Sequence, residues 1–444
     1  MENLNTEITS EILSWVPSDS ILLRCTRVSK TWRTLILNSY FASMHHHRQL
    51  QLLKQFDDEL NNDNDDDDDQ KYNHSNININ GGGSNKVGMG LLFWIMENGI
   101  LKLHYGEYYD EENINIHDNQ EEQPFSCTQL LTRIIHHPPI AWRQYYRNSV
   151  VGSFNGLICL SVRHHDIDDP VYICNPITRE YVYLPRFAKR IFQDCMVSGF
   201  GYHPSSNQYK VVRVYYDPLN DEDTVGYIQV YTIGDGRGWR NIGEIPFGLP
   251  ANSPGISMNG ALHWLDDEQR KIVAFDLADE KFRLLPAPPC VRPLRTREKN
   301  FELWELGRCL CVVYWDDQGE SVEIWSLKKK KISSYDMNEQ ADYYYYHSWS
   351  WTREFSIELK GLSMEKYETL NPFSITKYGE VLFQQDSKIL SLYDPKSATI
   401  KKLVDDAMGL TFVDAILHID SFISLKALGE NSRIIRRSRR IMGV

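Results

Sequence analysis

Several residue groups in this 444-residue chain have the types that do chemistry, and their spacing decides what each could do. Histidines cluster at His45–His47, His136-His137 and His164-His165. Adjacent histidines on a helix or strand point in different directions, so neighbours are poor metal co-ligands, and surface or loop positions are the better reading. Gly234-Asp-Gly-Arg-Gly-Trp239 has the glycine content of a phosphate loop. It lacks the Lys-Ser/Thr such a loop needs and its Gly is misplaced for an aspartate box, so a β-turn between outer strands is expected. Ser, His and Asp are plentiful, yet no G-x-S-x-G elbow appears to activate a serine and no carboxylate pair is marked by its setting. The acidic run Asp57–Asp69 lacks the Gly and alternating ligands of a calcium loop and reads as solvated linker. Eight cysteines, at 25, 127, 159, 174, 195, 290, 309 and 311, are dispersed without a CxxC pair or a zinc-finger histidine. Reduced, mostly buried thiols are expected. No cofactor and no metal is called for.

Binding chemistry has stronger candidates than bond-making chemistry. At the front, Ile8, Ile12, Leu13 and Val16 fall on one helical stripe, followed by Pro17, Leu22, Leu23, Val28 and Trp32. Near residue 345, Asp342-Tyr-Tyr-Tyr-Tyr-His-Ser-Trp-Ser-Trp351 concentrates Tyr343, Tyr344, Tyr345, Tyr346, Trp349 and Trp351 in an insertion around 336–371. Tyr and Trp dominate binding hot spots, so this segment is a candidate target-binding loop. The alternative is an irregular outer strand packed on its own sheet.

Three composition regimes position these residues. Residues 1–47 read as three short helices: Asn5 or Thr6 caps the first and Pro17 stops it, Ser18 or Asp19 caps a second, and Val28, Trp32, Leu35 and Ile36 lie along a third. Such a small bundle cannot enclose Ile8, Ile12, Leu13, Leu22, Leu23 and Trp32 together, so an apolar patch must face a partner. Residues 48–86 are Asn/Asp-rich and end in Gly81-Gly-Gly-Ser84. They should form a disordered linker, spanning on the order of 35 Å as a flexible coil. From 87 to 425 the chain is short β-branched and aromatic runs broken by Gly, Pro, Asn and Asp, and residues 426–444 form a basic tail.

The long β region repeats. A Gly-led apolar strand is followed by a second that runs through an Asn/Asp turn into a third, as in Gly156–Leu160 with Val171–Pro185 and Gly260–Leu265 with Ile272–Pro286. Copies recur at Gly307–Val313 with Val322–Ile332 and Gly379–Phe383 with Ile389–Ile400, and a looser one covers Gly199–Arg240. Periods of about 40–50 residues with about four strands each are the signature of propeller blades. Five blades are counted, and Gly90–Tyr105 with Thr411–Leu425 should make a sixth, composite blade that closes the ring and removes its open edges. The fold class expected is α+β multidomain: a small three-helix module, a disordered acidic linker and an all-β propeller of about six blades.

Composition narrows the class of function. Charged residues are 24% and hydrophobic ones 42%, ordinary for a globular chain. The 48 basic and 60 acidic residues leave −12, which argues against a nucleic-acid partner. Nine of those acids lie in Asp57–Asp69, so elsewhere 48 bases face 51 acids. The longest apolar runs, Leu91–Met96 and Cys309–Trp315, are far short of the ~20 residues that cross a bilayer, and MENLNTEITSEIL does not read as a signal peptide. Cytoplasm and/or nucleus is the expected location, with no membrane partner. Asn73-His74-Ser75 therefore gains nothing from matching a glycosylation acceptor. The arginines at 433–440 and Lys328–Lys331 could serve as nuclear addresses but read first as solvated ends.

Residues 4–44 resemble an F-box: Leu4, Glu11-Ile12-Leu13, Val16-Pro17, Leu22-Leu23-Arg24-Cys25, Val28, Lys30, Trp32-Arg33 and Phe41 match in kind and order. The family usually carries Pro after its first Leu, where this chain has Asn5, a helix cap in its own right. Residues 87–425 resemble the F-box-associated domain of plant F-box proteins, through Gly152–Leu157, Asn175–Glu180, Gly199–Tyr202, Asn207–Val214, Asn259–Leu265, Phe275–Leu277 and Ser421–Leu425. The resemblance implies no enzyme. It implies a receptor subunit of a cullin-based ubiquitin ligase, with Leu4, Ile8, Ile12, Leu13, Val16, Pro17, Leu22, Leu23, Val28 and Trp32 on a Skp-type adaptor and the propeller on a target protein. Two rival readings stay open: a propeller enzyme such as a glycoside hydrolase, with convergent acids or arginines at the central mouth, and a scaffold that binds without driving degradation.

Overall fold

The structure, a computed structural model, describes residues 5–16, 21, 25–38, 40–48, 89–97, 100–108, 133–134, 150–164, 167–188, 196–216, 225–250, 253–266, 271–290, 301–307, 309–316, 321–329, 349–359, 370–376, 379–385, 389–404 and 411–435. The linker expected at 48–86, the tyrosines 343–346, and Leu4, Pro17, Leu22 and Leu23 lie outside them, residue 48 apart.

Short helices open the chain. Helix α1 (Thr6–Ser14) starts on Asn5, whose side chain accepts from the Glu7 amide at 3.3 Å, so the cap expected of Asn5 forms. A single helical turn at Cys25–Arg27 leads to α2 (Lys30–Ile36), capped by Ser29, which accepts from the Trp32 amide at 3.1 Å. Residues 40–48 are helical as well.

The rest is a ring of six antiparallel sheets. In chain order, β1 (Met89–Glu97), β2 (Ile100–Tyr108) and β3 (Arg133–Ile134) begin one blade that only the chain's last long strand completes. The first blade is β4 (Val150–Phe154), β5 (Leu157–His164), β6 (Ile167–Asn175) and β7 (Glu180–Tyr183). The second is β8 (Met196–His203), β9 (Gln208–Tyr216), β10 (Gly226–Thr232) and β11 (Trp239–Ile245), and the third is β12 (Ile256–Met258), β13 (Ala261–Leu265), β14 (Ile272–Asp276) and β15 (Phe282–Leu285). The fourth is β16 (Phe301–Leu306), β17 (Cys309–Trp315), β18 (Ser321–Lys329) and β19 (Trp349–Glu358). The fifth is β20 (Leu370–Ile375), β21 (Val381–Gln385), β22 (Ile389–Asp394) and β23 (Thr399–Val404). Strand β24 (Thr411–Leu417) then pairs with β1, so the composite blade forms as the leftover pieces implied. Tight turns are built as the sequence dictates: Asn155-Gly156 and Asn259-Gly260 both take positive φ at both residues, the two-residue hairpin that matches strand twist.

Inner strands β4, β8, β12, β16, β20 and β24 touch in succession around the ring. Apolar layers fill the spaces between blades. Leu92, Leu103 and Tyr105 of the composite blade pack on Val150, Ile158 and Val171 of the first, and Val212, Val214 and Ile228 of the second on Leu262, Trp264 and Phe275 of the third. Ion pairs, one of them fully buried, pin neighbours together. Arg213 Nη1 donates to Asp169 Oδ1 at 2.8 Å and its Nε to Gln229 at 2.8 Å, with the guanidinium 3.9 Å above the Trp239 ring. Lys210 and Arg240 of the second blade both bind Glu280 of the third.

The sequence boundary at 425 needs correction. After β24 the chain continues as a strap over 418–435, ending in β25 (Arg433–Ile434), which adds a fifth strand to the first blade beside β7. Glu430 on this strap accepts from Tyr231 Oη at 3.1 Å and from the Gly234 amide at 2.8 Å. Gly234 sits at φ +81°, and a Cβ there would lie 1.7 Å from the Leu428 carbonyl oxygen. The Gly234–Trp239 segment is thus the turn between β10 and β11, with its first glycine required by the strap.

Candidate functional site

Helix α1 inverts the usual relation between polarity and burial. Thr9, Ser10 and Ser14 are buried with Leu13, while Ile8 and Ile12 are 51% and 49% exposed. Local hydrogen bonds make this tolerable: the hydroxyls of Thr9, Ser10 and Ser14 donate to the carbonyls of Asn5, Thr6 and Glu11 at 3.1, 2.8 and 2.7 Å. A satisfied hydroxyl enters a core at little cost and lets the helix approach closely. Ile8, Ile12 and Trp15, one turn apart, then form an outward stripe, and Val28 is 59% exposed. Among the described large apolar side chains that are exposed, six of eight lie in residues 8–40, with Leu37 and Tyr40 the others there. The ring, far larger, contributes Tyr183 and Ile434. Arg48 stacks 4.3 Å over the Trp15 ring and pairs with Glu11, which fixes one edge of the stripe.

The stripe read from sequence therefore divides. Ile8, Ile12 and Val28 face outward. Leu13, at 3% exposure, belongs to the core, and Val16 and Trp32 are half-buried against it. Trp15, Leu37 and Tyr40 were missed. Trp15 was within reach, since it lies three residues after Ile12 and seven after Ile8.

That core is shared with the ring. Leu13, Ile21, Leu35, Ile36, Phe41 and Ala42 enclose one cluster with Ile177, from the turn between β6 and β7, and Phe422, from the strap. The Phe41 and Phe422 rings are 6.1 Å apart, and His45 meets Phe422 edge-on at 5.2 Å while its Nε2 donates to the Val16 carbonyl at 2.9 Å. Burial lowers the pKa of His45, and that of His46 to about 4. The buried side chain of Asn175 orders both ring elements. It accepts from the amides of Ile177 at 2.8 Å and Thr178 at 3.3 Å and donates to the carbonyls of Ser421 at 3.0 Å and Ile423 at 2.7 Å.

One arrangement has the residue types of hydrolytic catalysis. Ser153 Oγ lies 2.8 Å from His418 Nδ1, and His418 Nε2 lies 3.2 Å from Asp420 Oδ1. The imidazole has no exposed surface, and its ring packs edge-on against Tyr105 at 6.1 Å. The group fastens the end of the last blade to the first, as does the Ser421 hydroxyl donating to the Asn155 carbonyl at 2.6 Å.

The aromatic segment divides too. Trp349 and Trp351 lie in the outer strand β19, half-buried against the third blade, and Trp351 Nε1 donates to the Pro286 carbonyl at 2.7 Å. Packing between blades accounts for both tryptophans: they lie in an outer strand, as the alternative had it, but against the neighbouring blade as well as their own.

Residues 1–43 match the F-box domain family, and residues 114–414, more than half the chain, match the family described as the F-box associated beta propeller domain. An F-box protein of Arabidopsis thaliana is 29% identical over 293 residues, which are 57% of this chain and 65% of that protein. An F-box/LRR-repeat protein of the same plant is 22% identical over 418 residues, 89% of this chain and 78% of the relative. An F-box/kelch-repeat protein is 29% identical over 204 residues, 44% of this chain and 52% of the relative, so the chain spans about half to three quarters of these relatives' lengths. Among solved structures, a nidogen/laminin complex aligns at 13% identity with a TM-score of 0.37, covering 75% of this chain and 99% of that one, a likeness too distant to bear on function. With a capped helical module whose apolar stripe faces outward, six blades closed by a composite one, and these two family matches, the chain belongs to the plant F-box proteins that carry an F-box associated β-propeller domain.

Proposed function

We propose that the chain is a target receptor of a cullin-based ubiquitin ligase, holding a Skp-type adaptor on the outward stripe of its F-box and a target protein on its propeller. The observation that carries the reading is the exposure of Ile8 and Ile12 on a helix that buries Thr9, Ser10 and Ser14 instead. A chain whose whole function lay in its ring would have no use for two isoleucines left in water, whereas an adaptor groove would cover them. By this reading the chain makes and breaks no bonds; it brings target lysines close to a charged ubiquitin-conjugating enzyme and raises their effective concentration there.

Capture on immobilised Skp-type adaptor tests the hook. The wild-type chain should be retained and Ile8→Asp/Ile12→Asp should not, with the melting of the ring unchanged. Equal retention of both would remove the basis for the assignment. A reconstituted ubiquitination assay separates a degradative receptor from a scaffold that binds the same adaptor without ubiquitin transfer.

A further inference from the structure

Leu13, Phe41, Ile177 and Phe422 share one buried cluster although the first two belong to the helical module, the third to a hairpin turn of the first blade and the fourth to the strap that follows the last blade. From this we propose that the F-box is carried as a fixed arm of the propeller, docked on the ring-closing strap, with Ile177 and Phe422 as its positioning residues. The seat then sets the geometry of the F-box relative to the ring.

Three observations converge. Ile177 and Phe422 are 5% and 3% exposed although each sits in a connecting segment, where side chains are normally wet. Their cover is the F-box itself: Phe41 and His45 lie against Phe422, and His46 lies beside Asn155 of the first blade. Both ring residues are also tied to the ring itself, because Asn175 accepts from the Ile177 amide on one side and donates to the Ser421 and Ile423 carbonyls on the other. An apolar seat of this kind fixes orientation. The outward stripe of Ile8 and Ile12 is on the face of α1 that the seat does not use, so docking on the ring leaves it open.

The strap gives the seat a second property. Phe422 lies on the strap that directly follows β24, the strand that closes the ring on β1, so the seat is built next to the point of closure. Its meaning for a ligase rests on the receptor reading above, but its test does not.

The experiment uses the full chain with a specific protease site placed within residues 60–70, followed by cleavage and gel filtration near neutral pH. Docking predicts that the N-terminal fragment co-elutes with the ring after cleavage. Ile177→Asp should release the fragment while the ring's melting temperature holds. If that variant melts early, Ile177→Ala is read instead and should weaken retention at least about tenfold. Separation of the cut wild-type chain, or full retention by the substituted chain, overturns the proposal. Adaptor capture by uncut Ile177→Asp should persist, so loss of the seat and loss of the hook are told apart.

Discussion

Exchanging neighbouring residues of one helix should produce opposite phenotypes, because Ile12 is 49% exposed and Leu13 3%. Fully burying an isoleucine is worth about 1.5–3 kcal/mol, so covering the exposed half of Ile12 contributes about 1 kcal/mol to adaptor docking. Ile8, at 51%, contributes as much. Ile8→Ala/Ile12→Ala should then cost about 2 kcal/mol of binding, near a 25-fold rise in Kd. Neither side chain supports the shared core, so the melting of the F-box should stay within about a degree or two, as for surface changes generally. Leu13→Ala removes a side chain packed among Ile21, Ile36, Phe41 and Phe422, and should cost about 2–5 kcal/mol of stability. The assay pairs calorimetric titration with a purified Skp-type adaptor against thermal melting of each variant. An unchanged Kd for the isoleucine pair would refute the argument. So would a Leu13→Ala protein that melts normally yet fails to bind, since it would place Leu13 at the contact and not beneath it.

The F-box seat should loosen in acid. Burial holds the folded pKa values of His45 and His46 below the ordinary 6.5, that of His46 at about 4, so the packing that buries them, the F-box core and its seat together, loses stability as pH falls from 6.5 towards 4. For His46 the loss reaches about 3 kcal/mol, driven by burial, opposed by Asn155 and added to by His45 and His47; for His45 the Val16 carbonyl and then Asp420 temper the effect of burial. Fragment retention by the cleaved chain between pH 7 and 4.5 checks this, and retention that is flat with pH would contradict it. In the ring, Arg213→Ala leaves Asp169 buried without its ion-pair partner and should cost about 3–5 kcal/mol, read by chemical denaturation, with Asp169→Asn in the same chain recovering part of it. Gly234→Ala would drive a methyl into the Leu428 carbonyl, so hydrogen exchange in 418–435 should quicken while β8–β10 stay protected.

Much of this molecule could be read from local pattern. Gly-led strands recurring with Asn/Asp turns announce blades because each turn fixes its backbone within a few residues: Asn155-Gly156 and Asn259-Gly260 need no distant partner to adopt positive φ. The leftover strands at the two ends pair because an unclosed sheet would leave edges, and β24 with β1 closes the ring as that argument requires. Helix capping by Asn5 is equally local.

What tertiary structure alone decided is which side of α1 faces the core, and where the module rests. Pattern reading assumes that apolar means inward, and here three hydroxyls that bond their own helix are as buried as Leu13, while Ile8 and Ile12 are not. Nothing within nine residues of sequence distinguishes those isoleucines from core ones. The choice is made by Ile177 and Phe422, more than a hundred residues away, whose burial against Leu13 and Phe41 turns one face of the helix to the ring and leaves the other to a partner.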